Sequence, residues 1–128
     1  MTSELTSLTW VVTLNAVMWM PYIVNTLLVR GLSDAVGYPE NPKPLSGWAS
    51  KMKAAHYNAV ENLVVFAALV LIANAAGVSN DVTVMACSVY FWARVVHLLS
   101  YTLAIPWVRT LSFAVGWACQ IAMILQLL

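Results

Sequence analysis

Residues 62–80, NLVVFAALVLIANAAGVSN, run for 19 positions without a charge. A helix needs roughly 20 predominantly apolar residues to cross the hydrocarbon of a bilayer, so this stretch reads as the body of a membrane span. Glu61 precedes it, and Asp81 follows the Gly77 and Ser79-Asn80 turn residues. Outward from there the pattern repeats. No charge lies between Glu4 and Arg30, only Arg94 between Asp81 and Arg109, and none after Arg109. The charges predict four helices, over about 5–29, 49–76, 81–104 and 106–128, forming an all-α four-transmembrane-helix bundle in a single domain of residues 1–128.

The composition agrees. Of 128 residues 62% are hydrophobic and 9% charged, against about 25% charged in an ordinary soluble domain. So apolar a chain of this size excludes a water-soluble globular domain and a disordered chain. A net charge of +1 excludes a basic nucleic-acid binder. The first segment carries Glu4 and no Lys or Arg, and its apolar run is too long for a cleavable signal. Between the first two spans, Gly31, Gly37, Pro39, Pro42, Pro44 and Gly47 predict a loop over about 31–48. Pro21 predicts a kink inside helix 1, and Pro106 the first turn of helix 4. Ser79 and Asn80 are the candidate N-caps of helix 3.

Orientation follows the basic residues. Arg30, Lys43, Lys51, Lys53 and Arg109 all flank loops 1 and 3. Those loops are therefore expected on the cytoplasmic side, with both termini outside.

Ionisable groups inside spans are costly and mark functional sites by default. Glu61 and Arg94 are two such groups, and their similar depth and opposite charge predict a buried pair. Asn58 and Glu61 are three residues apart on helix 2. Arg94, His97 and Tyr101 share a face of helix 3, with Tyr90 one turn away. Arg109 and Thr110 open helix 4, and Arg30 closes helix 1. This collection in the cytoplasmic half suits an anionic, polyfunctional ligand, because guanidinium groups bind carboxylates bidentately and Glu61 could accept from an ammonium.

Three stretches carry a family resemblance. Ala55-His56-Tyr57-Asn58-Ala59-Val60-Glu61-Asn62 resembles the A-H-x-N-x-x-E-[NT] signature of MAPEG, the membrane-associated proteins of eicosanoid and glutathione metabolism. Ala93-Arg94-Val95-Val96-His97-Leu98-Leu99-Ser100-Tyr101 resembles its A-R-x-x-H-x-x-x-Y signature, and Arg109-Thr110-Leu111-Ser112-Phe113 its R-[ST]-x-x-[FY] start of helix 4. The chain is most similar to the short bacterial members, which would place it in the inner membrane if it is bacterial.

The resemblance implies a homotrimer binding glutathione as cosubstrate in clefts between subunits that open to the cytoplasm. It implies glutathione contacts at Arg30, Asn58, Glu61, Arg94, His97 and Tyr101, and a catalytic pair, Arg109 beside the sulfur with Thr110 as neighbouring hydroxyl. The expected activity is a glutathione-dependent transferase or peroxidase acting on lipophilic electrophiles or hydroperoxides, without metal or haem. Several family members have Arg where this chain has Tyr57, which leaves Lys51 or Lys53 to supply the missing cation. The alternatives are a MAPEG-fold membrane protein that binds without turnover, a small multidrug transporter, whose buried Glu would lie in helix 1, and a b-type cytochrome using His56 and His97. His56 is expected to be structural or interfacial, and Cys87 and Cys119 to be packing residues. Trp10, Trp48 and Trp107 read as interfacial anchors, and Trp19, Trp92 and Trp117 as packing residues or walls of a substrate groove.

Overall fold

The computed structural model describes all residues 1–128 and is entirely helical. Five helices follow in order: α1 (Ser3–Val17), α2 (Trp19–Val36), α3 (Gly47–Ala76), α4 (Asp81–Thr102) and α5 (Pro106–Leu127). They make four segments long and apolar enough to cross a membrane, because α1 and α2 are two parts of one segment, residues 3–36. The protein is thus a multi-pass membrane protein.

The break between α1 and α2 falls at Met18, three residues before Pro21. A proline lacks the N–H that would bond the carbonyl four residues back, and its ring crowds that carbonyl, here of Val17. The helix is therefore interrupted on the N-terminal side of the proline that causes the break, although Met18 itself keeps helical dihedrals. Helix 1 runs past the expected end at about 29. Gly31 interrupts α2 with φ 78° and ψ 163°, a conformation glycine adopts at little cost, and the helix resumes only to Val36.

The other boundaries follow local chemistry. Asn80 caps α4, its side chain accepting from the backbone N–H of Val82 (2.9 Å) and Thr83 (3.1 Å), while Thr83 Oγ1 accepts from the Asn80 N–H at 2.9 Å. This reciprocal box satisfies donors that a helix start leaves open. Helix 3 of the sequence reading ends two residues early, at Thr102, because Ala104 takes φ 58° and Ile105 N–H closes onto Ser100 O at 2.8 Å. Pro106 then opens α5 at a position where its missing N–H costs nothing.

α4 and α5 form the most extensive helix pair, and α1 lies across α3 and α4. Between them Leu8, Val11, Phe66, Val70, Cys87, Tyr90 and Met123 make a continuous apolar core, with the Phe66 and Tyr90 rings stacked at 3.8 Å. Cys87 and Cys119 are free thiols within it. His56 is a structural tie, its Nδ1 bonded to Tyr22 Oη at 2.7 Å across α2 and α3. Asn25 adds a second tie, donating to Ser46 Oγ (2.8 Å) and accepting from the Ser46 N–H (3.0 Å). Trp19, Trp92 and Trp117 do not pack inside the bundle; all three project outward, as Trp10, Trp48 and Trp107 do.

One polar cluster was not legible in the sequence. Glu4 is 3% exposed, and its Oε1 accepts from Ser79 Oγ at 2.8 Å and Thr83 Oγ1 at 2.5 Å. The carboxylate fastens the start of α1 to the turn between α3 and α4. Glu4→Ala leaves Ser79 Oγ without its acceptor and Thr83 Oγ1 with only the Asn80 carbonyl, and the expected cost is about 2 kcal/mol. Reversible unfolding in mixed micelles measures this; wild-type stability in the variant would make the clamp incidental.

Candidate functional site

The residues singled out in the sequence gather at the end of the bundle formed by the start of α3, the end of α4 and the start of α5. Arg94 is the centre. It is 3% exposed, as is His97. Arg94 Nη2 donates to Asn58 Oδ1 at 2.7 Å and lies 3.3 Å from His97 Nδ1. The Arg94 stem passes Gly116 of α5, where a Cβ would stand 3.9 Å from Arg94 Cδ and 3.6 Å from the Tyr90 ring. Arg94 Nε and Tyr90 Oη are buried without a partner.

The expected Glu61–Arg94 pair does not form within the subunit: Glu61 is exposed, and Arg94 spends its contacts on Asn58 and His97. Helical geometry gives the reason. Ala55, Ala59, Phe66, Val70 and Ala73 form the buried stripe of α3. Glu61 is two residues from Ala59, about 200° around the helix at 100° per residue, and so faces away from the stripe. Asn58, with Asn62 one turn on, points toward α4 and α5. Asn62 Nδ2 donates to Asn58 O at 2.8 Å, and Gln120 of α5 donates to Asn62 O at 3.3 Å.

Beside Arg94 a recess of about 320 Å³ is lined by Asn58, His97, Tyr101, Arg109, Thr110 and Phe113. Five of these are site residues expected from the sequence; Phe113 belongs to the same helix 4 motif but had no role assigned. The rings of His97 and Tyr101 meet edge to face at 5.6 Å, and Phe113 lies 6.3 Å from His97. The Arg109 guanidinium sits over the Tyr101 ring, 4.9 Å from its centroid, a cation–π placement. Thr110 Oγ1 donates to Pro106 O at 3.2 Å, so its proton is turned to its own helix.

A second recess of about 220 Å³ adjoins the first, sharing Tyr101 and Arg109 and adding Lys51. Lys53 instead lies over the Tyr57 ring at 5.9 Å. Of the two lysines able to replace the missing Arg, Lys51 is the one at the site. Arg30 is not brought in: its Nε donates to Lys43 O at 2.8 Å and holds the first loop.

The geometry thus yields a half-open, net-cationic recess with one polar amide, two aromatic hydroxyl or imidazole groups and no facing carboxylate, suited to an anionic ligand. Neither the curated proteins nor the solved structures contain a match to the chain. The family comparison is decisive by coverage: the MAPEG family model matches residues 8–128, which takes in α2 to α5, most of α1 and all the site residues above, and the chain belongs to the MAPEG family.

Proposed function

We propose that the protein is an integral-membrane glutathione transferase or peroxidase in which the Arg109 recess activates the thiol. Membership of the family supports a membrane protein of glutathione or eicosanoid metabolism. The observation that carries the finer reading is the placement of an exposed guanidinium, Arg109, at the edge of a recess that also presents Asn58, His97 and Tyr101.

A free thiol has a pKa near 8.5 and is mostly protonated at neutral pH. A neighbouring guanidinium favours the thiolate and lowers that value. The thiolate then attacks an electrophilic carbon, forming a C–S bond as the leaving group departs, or attacks the terminal oxygen of a hydroperoxide, forming an S–O bond as the O–O bond breaks. In the second case the alkoxide takes a proton and leaves as the alcohol, and a second glutathione converts the sulfenic acid to the disulfide and water. Arg109 is the activator in this reading. Lys51, on the other wall of Tyr101, takes a carboxylate of the tripeptide. Arg94 acts from behind by fixing Asn58 and His97, and Thr110 is a weak second donor because its hydroxyl already has an acceptor.

Glu61 supports an oligomer. An ionised carboxylate facing hydrocarbon is costly, and Glu61 has no partner in its own subunit. A homotrimer with the site between subunits gives it one, either a neighbour's cation or the ligand's ammonium, and brings Arg30 toward a ligand spanning two chains. A binding protein without turnover is the second reading, favoured by the hydrogen bond that withdraws Thr110 from the recess.

The test is ultraviolet difference absorbance on adding glutathione to the detergent-purified protein, followed by turnover with an activated aryl halide and with a lipid hydroperoxide. Thiolate absorbance with turnover supports the enzyme, thiolate absorbance alone supports the binder, and neither signal overturns both.

The orientation follows from the same basic residues. Loops 1 and 3 and the recess face the cytoplasm, and both termini lie outside. Cysteine introduced at Ser46 should resist a membrane-impermeant thiol reagent in intact cells, and one at Ser3 should react. Labelling at 46 from outside would reverse the orientation.

A further inference from the structure

The largest cavity lies at the opposite end of the bundle from the Arg109 recess. It encloses about 640 Å³ between α1 and α4, with Ser7, Trp10, Ser88, Phe91 and Trp92 among its walls. Its rings form a connected surface: Trp10 and Phe91 are 6.4 Å apart and Phe91 and Trp92 5.1 Å. Trp10 is 58% exposed and Trp92 61%, so the cavity opens sideways from the bundle.

The hydroxyls give it chemical character. Thr9, Thr13, Thr26 and Thr110 each return a hydrogen bond to the carbonyl four residues back, at 2.8 to 3.2 Å, the usual way to satisfy a hydroxyl on a membrane helix. Ser7 and Ser88, on the two facing helices, make no such bond. Ser7 is four residues into α1 and Ser88 seven into α4, about 6 and 10 Å along the axis. For helices that start at the aqueous edge, this is the boundary between headgroups and hydrocarbon. No Lys, Arg, Asp or Glu side chain lines the cavity, although Met1, with the chain's α-amino group, is one of its walls, and the nearby Glu4 is held by Ser79 and Thr83.

The cavity thus offers hydroxyl and indole donors, no charged side chain and an aromatic floor. Its complement is a neutral acceptor oxygen attached to an apolar chain. At this depth a bilayer supplies that in the ester carbonyls of its glycerolipids. A second copy of the chain fits less well, because close helix packing in membranes uses small residues and this seam presents three large rings. We propose that the α1–α4 cavity binds one glycerolipid, whose ester carbonyls accept from Ser7 and Ser88 and whose acyl chain lies along Trp10, Phe91 and Trp92. The site is independent of the thiol recess.

The test is native mass spectrometry of the detergent-purified protein titrated with dioleoylphosphatidylglycerol. Wild type should retain one lipid per chain. Ser7→Ala with Ser88→Ala should weaken retention about tenfold, the loss expected from two hydrogen bonds of modest net strength. Ser88→Phe, which fills the cavity from an exposed position, should abolish it. Unchanged thermal unfolding would show that both variants are folded. No saturable lipid in wild type, equal retention in the double-alanine variant, or disulfide cross-linking between two copies each carrying cysteine at Ser88 would each overturn the proposal.

Discussion

Arg109→Ala should raise the pKa of bound glutathione by about one unit or more and lower turnover roughly tenfold or more, one unit corresponding to about 1.4 kcal/mol. Arg109 is exposed and holds no buried partner; its side-chain contact is the face of Tyr101 at 4.9 Å. Its removal should therefore leave unfolding nearly unchanged, and the loss should appear in chemistry. Glutathione affinity should fall less than the rate, since in the proposed site Lys51 and the Arg94–Asn58 unit remain. Arg109→Lys should restore only part of the activity, because an ammonium lacks the planar fork. Thr110→Val should have a smaller effect still, as that hydroxyl is bonded to Pro106. A pH titration of thiolate absorbance, run beside rates with one electrophile, measures all three; an unchanged thiol pKa in Arg109→Ala would remove the activator and leave Arg109 as an interfacial charge.

Arg94→Gln should damage the fold and the site together. The buried guanidinium holds Asn58 Oδ1 and faces His97 Nδ1, and a shorter neutral amide leaves both without a charged donor. The expected cost is about 2–3 kcal/mol, with glutathione binding weakened at least tenfold because Asn58 is no longer fixed. Arg94→Lys keeps the charge and should recover part of the stability but little of the binding. Glu61→Gln is the contrast: with no partner inside the subunit it should leave the helix packing intact while weakening ligand binding or assembly. Unfolding in mixed micelles, glutathione calorimetry and the oligomeric profile separate the cases. A stable, binding-competent Arg94→Gln protein would show that Arg94 is not the organiser of the recess.

The spans were legible because charge is so costly in hydrocarbon that its positions alone draw the helices. Pro21, Gly31, Asn80 and Pro106 then marked breaks and caps through local chemistry. Five lining residues of the recess were legible as well, since Asn58, His97, Tyr101, Arg109 and Thr110 lie on motifs whose helical spacing puts them on shared faces. The Glu61–Arg94 pair was misread because equal depth says nothing of azimuth; only the buried stripe from Ala55 to Ala73 shows which way Glu61 turns. Lys51 could be separated from Lys53 only once the α4–α5 turn was placed beside it. The hold of Arg30 on the first loop was not legible, because the path of that loop, with Lys43 O as acceptor, has no sequence signature. Glu4 was read only as a flanking charge, because its partners are remote in the chain.

That remoteness bears on how the protein is made. Ser79 and Thr83 follow Glu4 by 75 and 79 residues, so at roughly 5–20 residues per second of synthesis the carboxylate exists for several seconds before either hydroxyl does. The first helix must therefore be delivered to the membrane with Glu4 still hydrated. It can be drawn into the bundle only after the α3–α4 turn has arrived at the same end. The contact is therefore made late: until the second hairpin has inserted, the first helix carries a charge that nothing fastens.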